Sequence, residues 1–121
     1  MNREDAKLLN VKCDKNTIWP KLTMVVSLWC GCMDKNVIDA ELMGKFRDRF
    51  LGYLVVAHDK GKRIKLCPTN SRGGIEQYTL LKRAMDVTGI SIRDMTDDIR
   101  AMTIYPNGTV KIEYKDATEW L

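Results

Sequence analysis

The segment that most restricts the fold runs Arg100-Ala101-Met102-Thr103-Ile104-Tyr105, then Pro106-Asn107-Gly108, then Thr109-Val110-Lys111-Ile112-Glu113-Tyr114-Lys115. Val110, Ile112 and Tyr114 alternate with Thr109, Lys111, Glu113 and Lys115, the period of a strand with one dry face and one wet face. Asn107-Gly108 supplies the left-handed backbone angles of a tight hairpin turn. A hairpin alone is marginal in water, so the rest of the chain must cover its apolar face. With 121 residues, the length of one domain, that cover belongs to the same core.

Helical periodicity supplies the cover. Ile18, Leu22, Val25, Val26, Trp29 and Met33 trace one helix face, with Pro20 suited to a first turn. The pair Val25-Val26 and Gly31 leave a buried strand as the rival reading of that stretch. From Asp39 to Phe50, Leu42, Met43, Phe46 and Phe50 face inward while Glu41, Lys45, Arg47 and Arg49 face outward, the clearest helix in the chain. A short helix is expected over residues 2–10, another over 75–87 stopped by Gly89, and one further turn or a short helix between Ser91 and Asp98. Alternation at Leu54 and Val56, and again at Ile64 and Leu66, favours a second hairpin: Tyr53 to His58, a turn at Asp59-Lys60-Gly61-Lys62, and Arg63 to Cys67. The expectation is a single α+β domain over 1–121, with three to four helices packed on one or two antiparallel β-hairpins.

The twelve uncharged residues from Leu22 to Met33 are too few to span a bilayer, and the charged start Asn2-Arg3-Glu4-Asp5 is unlike an export signal. A cytoplasmic protein without membrane contact is expected. Cys13, Cys30, Cys32 and Cys67 are then reduced thiols. As zinc ligands they would need three distant segments to meet, and Cys30-Gly31-Cys32 is tighter than the usual ligand spacing, so small buried hydrophobes are the preferred reading and no cofactor or metal is expected. Asp94, Asp97 and Asp98 lack the alternating ligands and turn glycine of a calcium loop and read as surface acids. His58, the one histidine, reads as an element-end residue and not a general base. Nothing in the sequence argues for an enzyme.

The net charge of +4 is unevenly spread. Between positions 60 and 83 lie Lys60, Lys62, Arg63, Lys65, Arg72, Lys82 and Arg83 against the single acid Glu76. Strand alternation puts Arg63 and Lys65 on one side and Ile64 and Leu66 on the other. Beyond them, Asn70-Ser71-Arg72-Gly73-Gly74 leads into a helix start, where free backbone N–H groups favour an anion and glycines let a phosphate approach. The spacing is neither that of a Walker loop nor of a dinucleotide fingerprint. The expected function is a small non-enzymatic binding protein that contacts nucleic acid or a nucleotide through Lys60, Lys62, Arg63, Lys65, Asn70, Ser71, Arg72, Gly73 and Gly74. The alternative is a protein-interaction module, a small inhibitor or regulator of phage or mobile-element type. It would dock on a larger protein or on itself as a homo-oligomer, using the acidic zone of residues 84–99 and the terminal Trp120.

Overall fold

A computed structural model describes residues 8–67, 80–96 and 98–121. In chain order these form α1 (Lys15–Gly31), α2 (Ala40–Asp59), β1 (Ile64–Leu66), α3 (Leu80–Thr88), a 3-10 turn (Ile92–Asp94), β2 (Ile99–Ile104), β3 (Val110–Tyr114) and β4 (Thr118–Trp120). The class is α+β: among the described residues, three α-helices and one antiparallel sheet of order β1-β2-β3-β4.

Both long helices start where an aspartate can accept from a first-turn N–H. The Asp14 carboxylate accepts from Thr17 N–H at 2.8 Å, and the Asp39 carboxylate from Leu42 N–H at 2.7 Å. α1 therefore begins three residues before Ile18, and Pro20 stands in its second turn, not its first. The carbonyl that Pro20 cannot serve belongs to Asn16, which is exposed, so water can take its place. α3 ends in a Schellman cap: Gly89 adopts φ 78°, Ile90 N–H donates to Met85 C=O at 2.9 Å, and Gly89 N–H to Asp86 C=O at 3.3 Å. Ile90 and Met85, the two positions at which such motifs carry an apolar contact, are both buried. The expected stop at Gly89 is met; the expected start at 75 lies outside the described residues, as does most of the expected helix over 2–10.

The expected hairpin through 53–67 does not form. Tyr53 to His58 continues α2, and the buried stripe Met43, Phe46, Phe50, Leu54, His58 advances by three or four residues without a break. Val56, half of the apparent alternation, points to solvent at 58% exposure. Ile64 to Leu66 is a strand as expected, but its partner is β2, with Ile64 opposite Ile104 and Leu66 opposite Met102.

The C-terminal hairpin forms in the expected place, β2 against β3, with Ile104 opposite Val110 and Met102 opposite Ile112. Its turn is a three-residue loop. Gly108 N–H donates to Tyr105 C=O and Tyr105 N–H to Thr109 C=O, both at 2.9 Å. Gly108 takes φ 93°. Pro106 thus opens a β-turn and Gly108 supplies the left-handed residue that follows it, the three-residue hairpin pattern. β4 adds a fourth strand that the sequence pattern had not marked, pairing Lys111 with Trp120 and Glu113 with Thr118.

Ile64, Leu66, Met102, Ile104, Val110 and Ile112 share one face of the sheet and join Leu22, Val25, Trp29, Phe46, Phe50, Leu54, Leu81 and Met85 from the helices in one apolar core. The hairpin turn is fixed beneath the sheet by α2 and the segment before α1. Pro106 C=O accepts from His58 Nε2–H at 2.9 Å and from Cys13 N–H at 2.9 Å. Since a carbonyl only accepts, the His58 proton sits on Nε2. No helix among the described residues is long and apolar enough to cross a membrane.

Candidate functional site

The cations singled out in the sequence occupy the passage from the end of α2 into β1. Lys60 caps α2, and its N–H donates to Ala57 C=O. Gly61 then turns the chain at φ 72°, a left-handed angle that suits glycine. Lys62 and Arg63 follow, both exposed, and Lys65 projects from β1 on the side opposite Ile64 and Leu66. The expected split of faces is therefore present, although a helix end and not a hairpin delivers it. Lys60, Lys62, Arg63 and Lys65 make no ion pair with a described residue; the acids of this region pair elsewhere, Asp59 with Lys12 and Asp86 with Lys82. Asn70, Ser71, Arg72, Gly73 and Gly74 lie outside the described residues.

Strand pairing extends this surface in a way the sequence did not reveal. Residues directly opposite on antiparallel strands project to the same face. Lys65 is opposite Thr103, Thr103 opposite Lys111, and Lys111 opposite Trp120, so these four form one row across all four strands. Tyr105, just past β2, meets this face through Trp120, and Arg63, just before β1, has the parity of Lys65. Tyr105 and Trp120 stack, with ring centroids 6.1 Å apart and planes 18° from parallel. The Lys111 ammonium lies 5.5 Å from the centroid of Trp120 and 3.5 Å from the Glu113 carboxylate. Trp120 keeps 45% of its surface exposed despite both contacts. The apolar core cluster lies on the other side of the sheet, while Ala101 and Thr103, at the centre of this outer face, are themselves buried.

The cysteines divide as small apolar groups would. Cys30 and Cys32 are buried, Cys13 and Cys67 half-buried, and all four are thiols. Burial raises each thiol pKa above its ordinary value. For Cys30 the Arg47 guanidinium opposes that rise, and for Cys67 the Lys65 ammonium opposes it while Glu113 adds to it. Raised values keep the thiols protonated at neutral pH, where they are poor nucleophiles. Among the described residues no three His, Cys, Asp or Glu side chains gather as metal ligands. Cys13 Sγ lies 3.7 Å from His58 Nε2, but both nitrogen and thiol belong to the support beneath the hairpin turn. His58 is an element-end residue as expected, in the last turn of α2, and it is buried. Trp29 is core, as its place on the inward stripe implies.

No protein-family model, curated protein or solved structure matches this chain.

Proposed function

We propose that this chain is a non-enzymatic binding protein of the cytoplasm that contacts a phosphate-bearing partner, nucleic acid or a nucleotide, through the cations from Lys60 to Lys65. One observation carries the reading: Lys60, Lys62, Arg63 and Lys65 are exposed, within six residues of one another in the chain and without a carboxylate partner among the described residues. Unpaired cations on one surface attract polyanions and release the counterions condensed on them. The one imidazole is buried and bonded to a backbone carbonyl, which supports a binding role over a catalytic one.

The test is a titration with labelled DNA, RNA and mononucleotides at two salt concentrations. Binding to a polynucleotide should weaken as salt rises, with a logarithmic slope of about −0.7 to −0.9 for each phosphate neutralised. Replacing Lys60, Lys62 and Arg63 by serine should flatten that slope. Absence of saturable binding to all three probes at low salt overturns the reading. Light scattering on the same samples addresses the competing reading of a protein-interaction module that self-associates.

A further inference from the structure

We infer that the outer face of the sheet is a platform for unpaired nucleic acid, with a base laid against Trp120 and the sugar-phosphate chain led across Lys111, Lys65 and Arg63. This rests on the phosphate-partner reading above and names the strand state that partner must have. Aromatic surface and positive charge stand on the same face. The row Lys65, Thr103, Lys111, Trp120 crosses the sheet at successive strands, about 4.8 Å apart, so along this row the backbone of β1 lies roughly 14 Å from that of β4. That is the reach of a few nucleotides, not of a free phosphate.

The aromatic half of the face decides between single and double strands. In a duplex each base is covered above and below by its neighbours, so an exposed indole has no ring to meet. An unpaired strand presents base faces, and such faces stack on aromatic side chains with little regard to sequence. Tyr105 backs Trp120 at 6.1 Å and the Lys111 ammonium lies 5.5 Å from the ring centroid, contacts that hold the indole in place while 45% of the residue's surface stays exposed to a base. The charges fit the same occupant. Among the described residues of this face Arg63, Lys65 and Lys111 stand against Glu113, and Glu113 is matched by Lys111 at 3.5 Å, leaving two cations for phosphates before Lys111 is counted. An acidic peptide would satisfy the cations but would leave the indole without a planar partner.

The test uses the full chain and three probes of equal phosphate content: an unpaired oligodeoxythymidylate, an unpaired oligoadenylate and a duplex. Unpaired probes should bind more tightly than the duplex at the same salt and should quench tryptophan fluorescence. Trp120→Ala should weaken unpaired binding about 5- to 150-fold, with the salt slope unchanged because no phosphate contact is lost. Trp120→Phe keeps a ring against Tyr105 and should lose less affinity and most of the quenching, which guards against a folding defect in the alanine variant. Equal affinity for paired and unpaired probes, with both Trp120 variants binding like the wild type, overturns the platform while a persistent salt slope leaves the phosphate reading standing. Absence of binding to any probe at low salt overturns both.

Discussion

His58 is the residue through which helix packing holds the hairpin turn, and its replacement tests that assignment quantitatively. The ring is 2% exposed at the end of α2, and its Nε2–H donates to Pro106 C=O at 2.9 Å. His58→Ala removes that bond, worth about 1 kcal/mol between neutral groups. It also removes a ring from a packed site, where truncation to alanine leaves a cavity and costs upward of about 2 kcal/mol. The carbonyl itself is not orphaned, because Cys13 N–H still donates to it at 2.9 Å, so no further desolvation cost is added. The sum is about 3 kcal/mol, a large share of the roughly 5–15 kcal/mol that holds a domain folded. At an m-value of about 1–3 kcal/mol per molar urea, the unfolding midpoint should fall by about 1–3 M. His58→Gln fills part of the space and carries an amide N–H able to reach Pro106, so it should recover at least about 1 kcal/mol of the loss. Urea titration followed by far-UV circular dichroism reads both. An alanine variant within about 1 kcal/mol of the wild type, or a glutamine variant no more stable than alanine, would refute the turn-anchoring role.

Two glycines should respond with opposite signs to the same change. Gly108 stands at φ 93° and an added Cβ would make ordinary contacts with Cys13 Sγ at 3.5 Å and with Ile18 Cδ1 and Lys21 Cγ at 3.9 Å, so Gly108→Ala should destabilise by about 1–2 kcal/mol through the backbone, whereas Gly52, inside α2 with nothing within 4 Å of an added Cβ, should gain roughly 0.5–1 kcal/mol as alanine. Thermal melts of the two variants give both signs. Asp14 has its carboxyl pKa lowered by the hydrogen bonds from Thr17, so its contribution is complete above the unfolded carboxyl range and is lost as pH falls through the lower folded value. Asp14→Asn keeps the acceptor and should flatten the acid limb of the stability profile; an unchanged limb would assign it to other carboxylates. Thiol titration of the native protein at neutral pH should label Cys13 and Cys67 before the buried Cys30 and Cys32, and all four more slowly than a small free thiol, because burial raises every one of their pKa values.

What could be read from the sequence was local. The β2–β3 hairpin announces itself because alternation and the Pro106-Asn107-Gly108 turn agree within fifteen residues, and α1 and the first half of α2 because their apolar spacing is unbroken. The second half of α2 misleads. Leu54, Val55 and Val56 carry strand-like branching, and the stripe that continues the helix passes through His58, a residue not ordinarily counted as apolar. Counting it would have extended the series 46, 50, 54 to 58 and favoured the helix, the tertiary contact with Pro106 being what allows an imidazole into the core. On the outer face of the sheet, Arg63 and Lys65 fall on one side by simple alternation, so they were legible. Trp120 and Lys111 join them only through the register of β3 against β4, and nothing within three residues of chain specifies that register. Long-range pairing is the information a single sequence withholds.

The basic face has a duller explanation that must be separated from the binding one. Among the described residues β1 is an edge strand, and a lysine on an edge discourages other chains from pairing with it. Such a role needs charge of either sign, and it is better served by mixed charges and few exposed rings. The outer face departs from that pattern on both counts, with cations outnumbering acids and a tryptophan left 45% exposed. Lys65→Glu discriminates between the two. It keeps a charged, exposed residue on the edge, so an edge-protecting role predicts an unchanged monomer fraction and unchanged affinity for any polyanion. A phosphate-contacting role predicts weaker polynucleotide binding and a salt slope shallower by about 0.7 on an unpaired strand, the share of one lost contact, with further loss from repulsion. Equal affinities and equal slopes for Lys65→Glu and wild type would leave the edge charge as the whole purpose of this residue and would remove it from the binding surface.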